Sequence, residues 1–288
     1  MVSYHHGIPL VPSCTICPNC NSESQIVIAY PTTLLIGMAT VFPSPPSWYV
    51  PGVPTLVIPD SVTSISDGAL RGCHHLTSVI IPNSVVSIGD RAFSGCTGLT
   101  SILIPSSVVS MGESAFESCS GLISFTIPDS ITSIDSRTFY NCDGMVSIVI
   151  PELVTSIGEC AFGGCTNLTS ITIPDSVTNI GDGAFYRCSG LSSVMIPNTV
   201  TNLGCSAFLG CTNLTSITIP ELITTIRYHT FSGCSNLASV IIPESVTRIE
   251  FHAFCDCNKL EYVNAPARFH GLFPGVETLF TPSQFFLK

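Results

Sequence analysis

Cysteine is the residue type here with the most chemistry to offer, and the 288-residue chain holds 15 of them. Cys14, Cys17 and Cys20 stand in C-T-I-C-P-N-C, with His5 and His6 upstream. Zinc takes four Cys or His ligands, so a Cys₃His site is conceivable at this spacing. No second C-x-x-C pair follows, and NSES stands after Cys20, where an iron–sulfur run wants a fourth thiolate. The alternative is a flexible or disulfide-bonded N-terminal segment, and no metal or cofactor is assigned. Nine more cysteines recur every 23 residues, at 73, 96, 119, 142, 165, 188, 211, 234 and 257. Stacked equivalents would sit about 4.8 Å apart with parallel Cα–Cβ bonds, whereas a disulfide wants converging Cβ atoms about 3.8 Å apart. The ladder therefore reads as buried free thiols, each acting as a small hydrophobe. Cys160, Cys205 and Cys255 break the rhythm and are the candidates for exposed, reactive thiols.

Other chemistry is sparse. Asp60, Asp129, Glu152, Asp175, Glu221 and Glu244 each follow a proline, but calcium wants about six to eight oxygens, and one carboxylate per unit falls short. Asp and Asn suit turns there without any metal. His74-His75, His229 and His252 are isolated by position, and Ser is too frequent for any one to suggest a triad. Paired carboxylates, phosphate-cradling glycine loops and kinase signatures are missing, which argues against an enzyme. The nine Lys and Arg are scattered from Arg71 to Lys288 in a chain of net charge −10, so neither nucleic acid nor anionic lipid is an expected partner. The apolar run Gln25–Phe42 is broken by Pro31 and has no flanking cation, which favours a degenerate first repeat or β-rich cap over a membrane span. The first 70 residues contain no Lys or Arg, so the start is a poor secretory signal. Asn167-Leu-Thr169 and Asn213-Leu-Thr215 are glycosylation sequons, relevant if a eukaryotic host exports the chain.

The elements that must position these residues follow from one period. Prolines fall every 23 residues from 59 to 266, and Phe93, Phe116, Phe139, Phe162, Phe185, Phe208, Phe231 and Phe254 keep the same beat. A fixed period in the twenties marks a solenoid of stacked units. Within one unit, Leu76–Ile81 is a β-branched strand with the L-x-x-L-x-L spacing. Pro82-Asn83-Ser84 stops it, Val85 and Ile88 form a second apolar edge, and Gly89-Asp90 turns the chain again. Ala92, Phe93 and Cys96 return inward through a short helical or 3₁₀ turn. One such unit cannot bury enough apolar surface to stand alone, so neighbours must complete its core.

The pattern I-P-x-S-V-T-S-I-G-x-x-A-F-x-G-C-x-x-L-T-S-I-x resembles the BspA-like, Treponema pallidum-type leucine-rich repeat, over about Leu56 to Pro266. That resemblance implies a right-handed solenoid, mostly β, with a parallel strand per 23-residue repeat and short helical or 3₁₀ turns on the other side. It also implies a surface protein that adheres to host or matrix proteins. The chain departs from the adhesin pattern in lacking an evident export signal or cell-wall anchor, and a cytoplasmic location stays open beside the cell surface.

Residues 1–53 are expected to form an N-terminal segment or degenerate cap, 54–266 a solenoid of about nine repeats, and 267–288 a C-terminal cap. Outward columns of Ser, Thr and aliphatic residues then make an uncharged strand face, and exposed apolar surface of that extent marks protein binding. The central turns are nearly identical, so register on a partner must come from distinctive groups. The candidate partner-binding residues are Thr169, Thr172, Met195, Thr215, Thr218, Ile241, Glu261, Tyr262 and Asn264, with Tyr262 as anchor and a protein or glycoprotein as partner. The alternative is a structural or ice-binding solenoid with no specific protein partner, using the Thr63, Val86, Val109, Thr132, Thr155, Thr178, Thr201, Thr224 and Thr247 column.

Overall fold

Units of 23 residues with two short apolar edges can satisfy their backbone only by pairing with the units above and below. The structure, a computed structural model, describes residues 54–273, together with backbone strands at Tyr4–His5, Ile8–Pro9, Val27–Tyr30, Thr33–Ile36, Val41–Phe42 and Glu277–Thr278. Most turns carry two strands, such as Ser147–Val149 and Ser156–Ile157. Equivalent residues pair in parallel: Ser124 with Ser147, and Ser133 with Ser156. The chain is a parallel β-solenoid of about nine turns.

Alternation sorts the side chains. In Ser170–Thr172 the outer two residues are exposed and Ile171 is buried, as a strand period of two requires. Each proline then ends the strand, and its carbonyl accepts the N–H three residues on, as Pro128 does from Ile131 at 3.0 Å. Ser84, Ser107 and Ser245 tie this corner to the preceding turn, donating to Val62, Val85 and Ile223 carbonyls at 2.7, 2.7 and 3.0 Å.

On the return side, N–H groups alternate between their own turn and the next. Ala92, Ser94 and Cys96 donate three residues back, to Gly89, Arg91 and Phe93, while Arg91, Phe93 and Gly95 donate to Glu113, Ala115 and Glu117. These are 3₁₀-type bonds that never propagate, because Arg91 (φ 56°) and Gly95 (φ 75°) are left-handed. The same two positions are left-handed in later turns, occupied by residues as unlike as Ser114, Cys160, Arg187 and His252.

The core is a phenylalanine stack beside a thiol column. Rings from Phe93 to Phe254 recur at 5.1–5.8 Å, nearly parallel. The widest step, 5.8 Å between Phe116 and Phe139, is where Phe125 inserts its ring edge-on against both at 4.8 Å. Just before it, strand pairing thins to a single bridge between Ile80 and Leu103.

Both ends carry added strands. Thr33–Ile36 pairs in parallel with Thr55–Val57, and Val41–Phe42 with Ser64–Ile65. At the other end, Ala267–Leu272 is a 3₁₀ helix, Phe269 and Phe273 are buried, and Glu277–Thr278 pairs with Tyr262–Val263. The sequence offers Phe269, Phe273, Phe280, Phe285 and Phe286 to cover the last turn; of these, Phe280, Phe285 and Phe286 lie outside the described residues. No helix among the described residues is long and apolar enough to cross a membrane.

Candidate functional site

The strand face is built by three outward columns flanking each buried strand centre. Thr169, Thr172, Thr215 and Thr218 are exposed on it, and Met195 is 82% exposed. Strand register brings Thr172 beside Met195, Thr218 beside Ile241, and Ile241 beside Asn264. Strand pairing is interrupted between Ser193–Met195 and Ser216–Thr218, yet a hydrogen-bond chain crosses the gap. The hydroxyl of Thr215 donates to the Ser192 carbonyl, and that of Ser192 to the Thr169 carbonyl, both at 3.3 Å. From Thr77 to Ile241 these columns hold no charged residue; Glu261 is the first. Tyr262 is half-buried, in a strand whose outer edge pairs with Glu277–Thr278. The described end of the tail thus approaches the expected anchor.

Apolar exposure is heaviest earlier along the same face. Leu103 is 75% exposed and Val149 70%, with Ile80, Ile123 and Val146 beside them. A cleft of about 250 Å³ opens between Ser78–Ile81 and Ser101–Leu103, next to the thinned pairing. The sequence showed these aliphatic residues but not the cleft, which opens where strand pairing is reduced to one bridge.

The cysteine ladder is buried from Cys73 to Cys234, and Cys257 at its end is half-buried. From Cys96 to Cys257 each thiol donates to the carbonyl 26 residues back, at 3.1–3.2 Å. Burial, with neighbouring thiols adding to it, pushes Cys119, Cys142, Cys165, Cys188 and Cys211 well above the ordinary thiol range. Cys73 and Cys257, at the ends of the ladder, are pushed up to about 11 and about 12. These groups are structural donors, not nucleophiles. Cys160, Cys205 and Cys255 are half-buried, and burial followed by the Glu159 carboxylate raises Cys160.

The remaining candidates sort by position. The carboxylates after each proline are exposed in a single column, and no group of three metal-ligating side chains occurs among the described residues. Cys14, Cys17 and Cys20 lie outside those residues, as do the side chains of His5 and His6. The Thr155, Thr178, Thr201 and Thr247 hydroxyls donate to carbonyls of the preceding turn at 3.2–3.4 Å, so their protons are engaged within the solenoid. His229 and His252, far apart in sequence, stack at 5.2 Å beside Tyr228 and Phe251. Their separation of one period was the signal available for that pairing. Tyr140, Tyr186, Tyr228 and Phe251 all lie on the return flank, where, with Leu209, they depart from columns otherwise small or polar.

Comparison with known proteins agrees with this geometry. The BspA type leucine rich repeat region family matches residues 49–169 and 132–261, in six copies. A leucine rich cell surface protein from Faecalibacterium prausnitzii A2-165 has a similar structure, with 25% identity and a TM-score of 0.52, over 92% of this chain and 95% of that one. A leucine-rich repeat protein from Eubacterium ventriosum ATCC 27560 shares 23% identity with a TM-score of 0.50, over 84% and 82% of the two chains. One from Bacteroides ovatus ATCC 8483 shares 21% identity with a TM-score of 0.44, over 92% and 100%. No curated protein matches the chain.

Proposed function

The chain belongs to the BspA-type leucine-rich repeat family, and we propose that it is a non-enzymatic scaffold binding a protein or glycoprotein through its strand face. One observation carries this: three exposed columns run from Thr77 to Ile241 without a charge, with Met195, Leu103 and Val149 standing out from them. A solvated face with no partner has no need to exclude charge over that length, and a docking face gains by it, because interface cores are depleted of charge. Thr169, Thr172, Met195, Thr215, Thr218 and Ile241 supply contact area, and Glu261, Tyr262 and Asn264 supply the distinctive end that sets register. The similarity to a leucine rich cell surface protein supports a place at a cell surface.

The test is capture of host surface proteins by wild type, Tyr262→Ala and a Thr169→Glu/Thr215→Glu double variant, with identification of what is retained. The double variant should stay folded and lose the retained protein, since an unpaired carboxylate buried in an interface is costly. Equal retention by all three removes the strand face as the binding site.

A further inference from the structure

Two outward columns of the strand face compensate each other in size. Within single turns, Ile123 goes with Thr126, Ser192 with Met195, and Ala238 with Ile241, so a large side chain in one column accompanies a small one in the other. Both members face away from the core; Ile123 is 55% exposed and Met195 82%. Three residues along an extended strand span about 10 Å, so the paired side chains do not touch and no contact inside one chain links their sizes. Between the two columns runs an unbroken serine column from Ser78 to Ser239. Turns with Thr at both positions, 169 with 172 and 215 with 218, flank Met195, whose unbranched side chain can lie over them.

We propose that the strand face docks on the strand face of a second copy of this chain, about a two-fold axis parallel to the solenoid axis. This rests on the reading of that face as a protein-docking surface and names its occupant. Such a two-fold reverses the strands and keeps each turn level with its equivalent. Met195 then lies over Ser192 of the second copy, Ile241 over its Ala238, and Ile123 over its Thr126, so large meets small across the interface. The serine columns meet near the axis, where small side chains let two sheets approach to about 10 Å. Charge selects this axis over a two-fold along the strands. The latter would set the carboxylates after the prolines, Glu152 and Asp175 among them, against the same carboxylates of the second copy. The chosen axis sets them against the two columns just before each strand, which from His74-His75 to Ser235-Asn236 hold one charged residue, Asp143. Eight turns of four residues give a plane of about 500 Å² per copy and about 1,000 Å² in the pair, which a specific interface needs as a minimum.

Sedimentation equilibrium of the full chain, from about 1 to 200 µM, tests this. The mass should rise with concentration from the 30.5 kDa of one chain toward twice that value. Ala238→Ile puts bulk where Ile241 of the second copy must fit, and should raise the dissociation constant about tenfold. The swap Ala238→Ile/Ile241→Ala again leaves one large and one small residue in that turn, and should return the constant to within about threefold of wild type. Circular dichroism should be the same for all three. A chain that stays monomeric throughout overturns the proposal, as does a swap that associates no better than the single variant. Thr169→Glu/Thr215→Glu should be monomeric, since each carboxylate would be buried unpaired. A monomeric wild type that still captures a host protein, and loses it in that double variant, would keep the docking face and reject the second copy as its occupant.

Discussion

The Sγ of Cys188 donates to the carbonyl oxygen of Phe162, 26 residues earlier, at 3.1 Å. That bond joins the two columns that fill the core, because Phe162 is itself stacked on Phe185 at 5.5 Å. The Phe162 carbonyl also accepts the Cys165 N–H at 3.2 Å, so each thiol brings a second donor to a carbonyl already bonded within its own turn and ties that turn to the next. Native-state alkylation should spare Cys96, Cys119, Cys142, Cys188 and Cys211 while Cys160, Cys205 and Cys255 are modified. Rapid labelling of the middle ladder in folded protein would show that its thiols are reachable and the packing wrong.

The same thiols set a stability limit at alkaline pH. Their folded pKa values are raised, to about 11 for Cys73 and beyond the ordinary range of 9.0 for the buried middle of the ladder. Between the unfolded and folded values the unfolded chain has released protons that the folded chain still holds, so stability falls as pH rises. Below pH 9 the contribution is fully present. The melting temperature should therefore decline from about pH 9 upward, and less steeply when Cys142 and Cys165 are replaced by alanine. A flat profile from pH 8 to 11 would remove the ladder as the cause.

Phe185 is fully buried between Phe162 and Phe208, at 5.5 and 5.1 Å. Phe185→Ala should cost about 3–5 kcal/mol, since rigid stacked neighbours cannot close the gap. Chemical denaturation measures it. A loss below about 1 kcal/mol would mean that the turns collapse onto one another, contrary to a close-packed stack.

Glycine in these repeats does two different jobs, and only one was visible beforehand. Gly89 and Gly181 read as turn residues, yet their backbone needs no left-handed angle; a Cβ on Gly181 would lie 2.8 Å from the Gly158 carbonyl carbon of the preceding turn. Gly181→Ala should therefore destabilise by about 1–3 kcal/mol through forced separation of turns. The left-handed positions are elsewhere, at Arg91, Ser114 and Cys160 among others, and nothing in those residue types announces them. Period, core columns and strand were legible because each repeats the same choice every 23 residues, turn after turn. The Leu76, Val79, Ile81, Phe93 and Cys96 assignments follow from that repetition, and all five are buried. The cleft beside Leu103 was not legible, because it arises from one turn departing from its neighbours, and a departure carries no direction until the turns are stacked.

The last prediction concerns how the array ends. Arg268 occupies the column where earlier turns carry Ser84, Ser107 and Ser245, and it takes over their task at longer reach. Its Nε and Nη2 donate to the Val246 carbonyl at 3.2 and 2.6 Å, Nη2 also to the Glu244 carbonyl at 2.6 Å, and Nη1 to the Glu244 carboxylate at 3.1 Å. The carboxylate contact contributes little, since both side chains are substantially exposed. The carbonyl bonds matter more, because they hold Ala267–Leu272 across the last complete turn and keep Phe273 edge-on against Phe254 at 5.6 Å. A solenoid end has a neighbour on one side only, so losing a tie there opens the end before the middle. Arg268→Ala should cost about 1 kcal/mol globally and raise amide exchange from Glu244 to Phe273, with the turns around Phe162 unchanged. Arg268→Lys should recover little, because an ammonium cannot span two carbonyls with a planar fork. Exchange that rises evenly along the whole solenoid would instead mean that the array unfolds as one unit and that Arg268 is no end-specific cap.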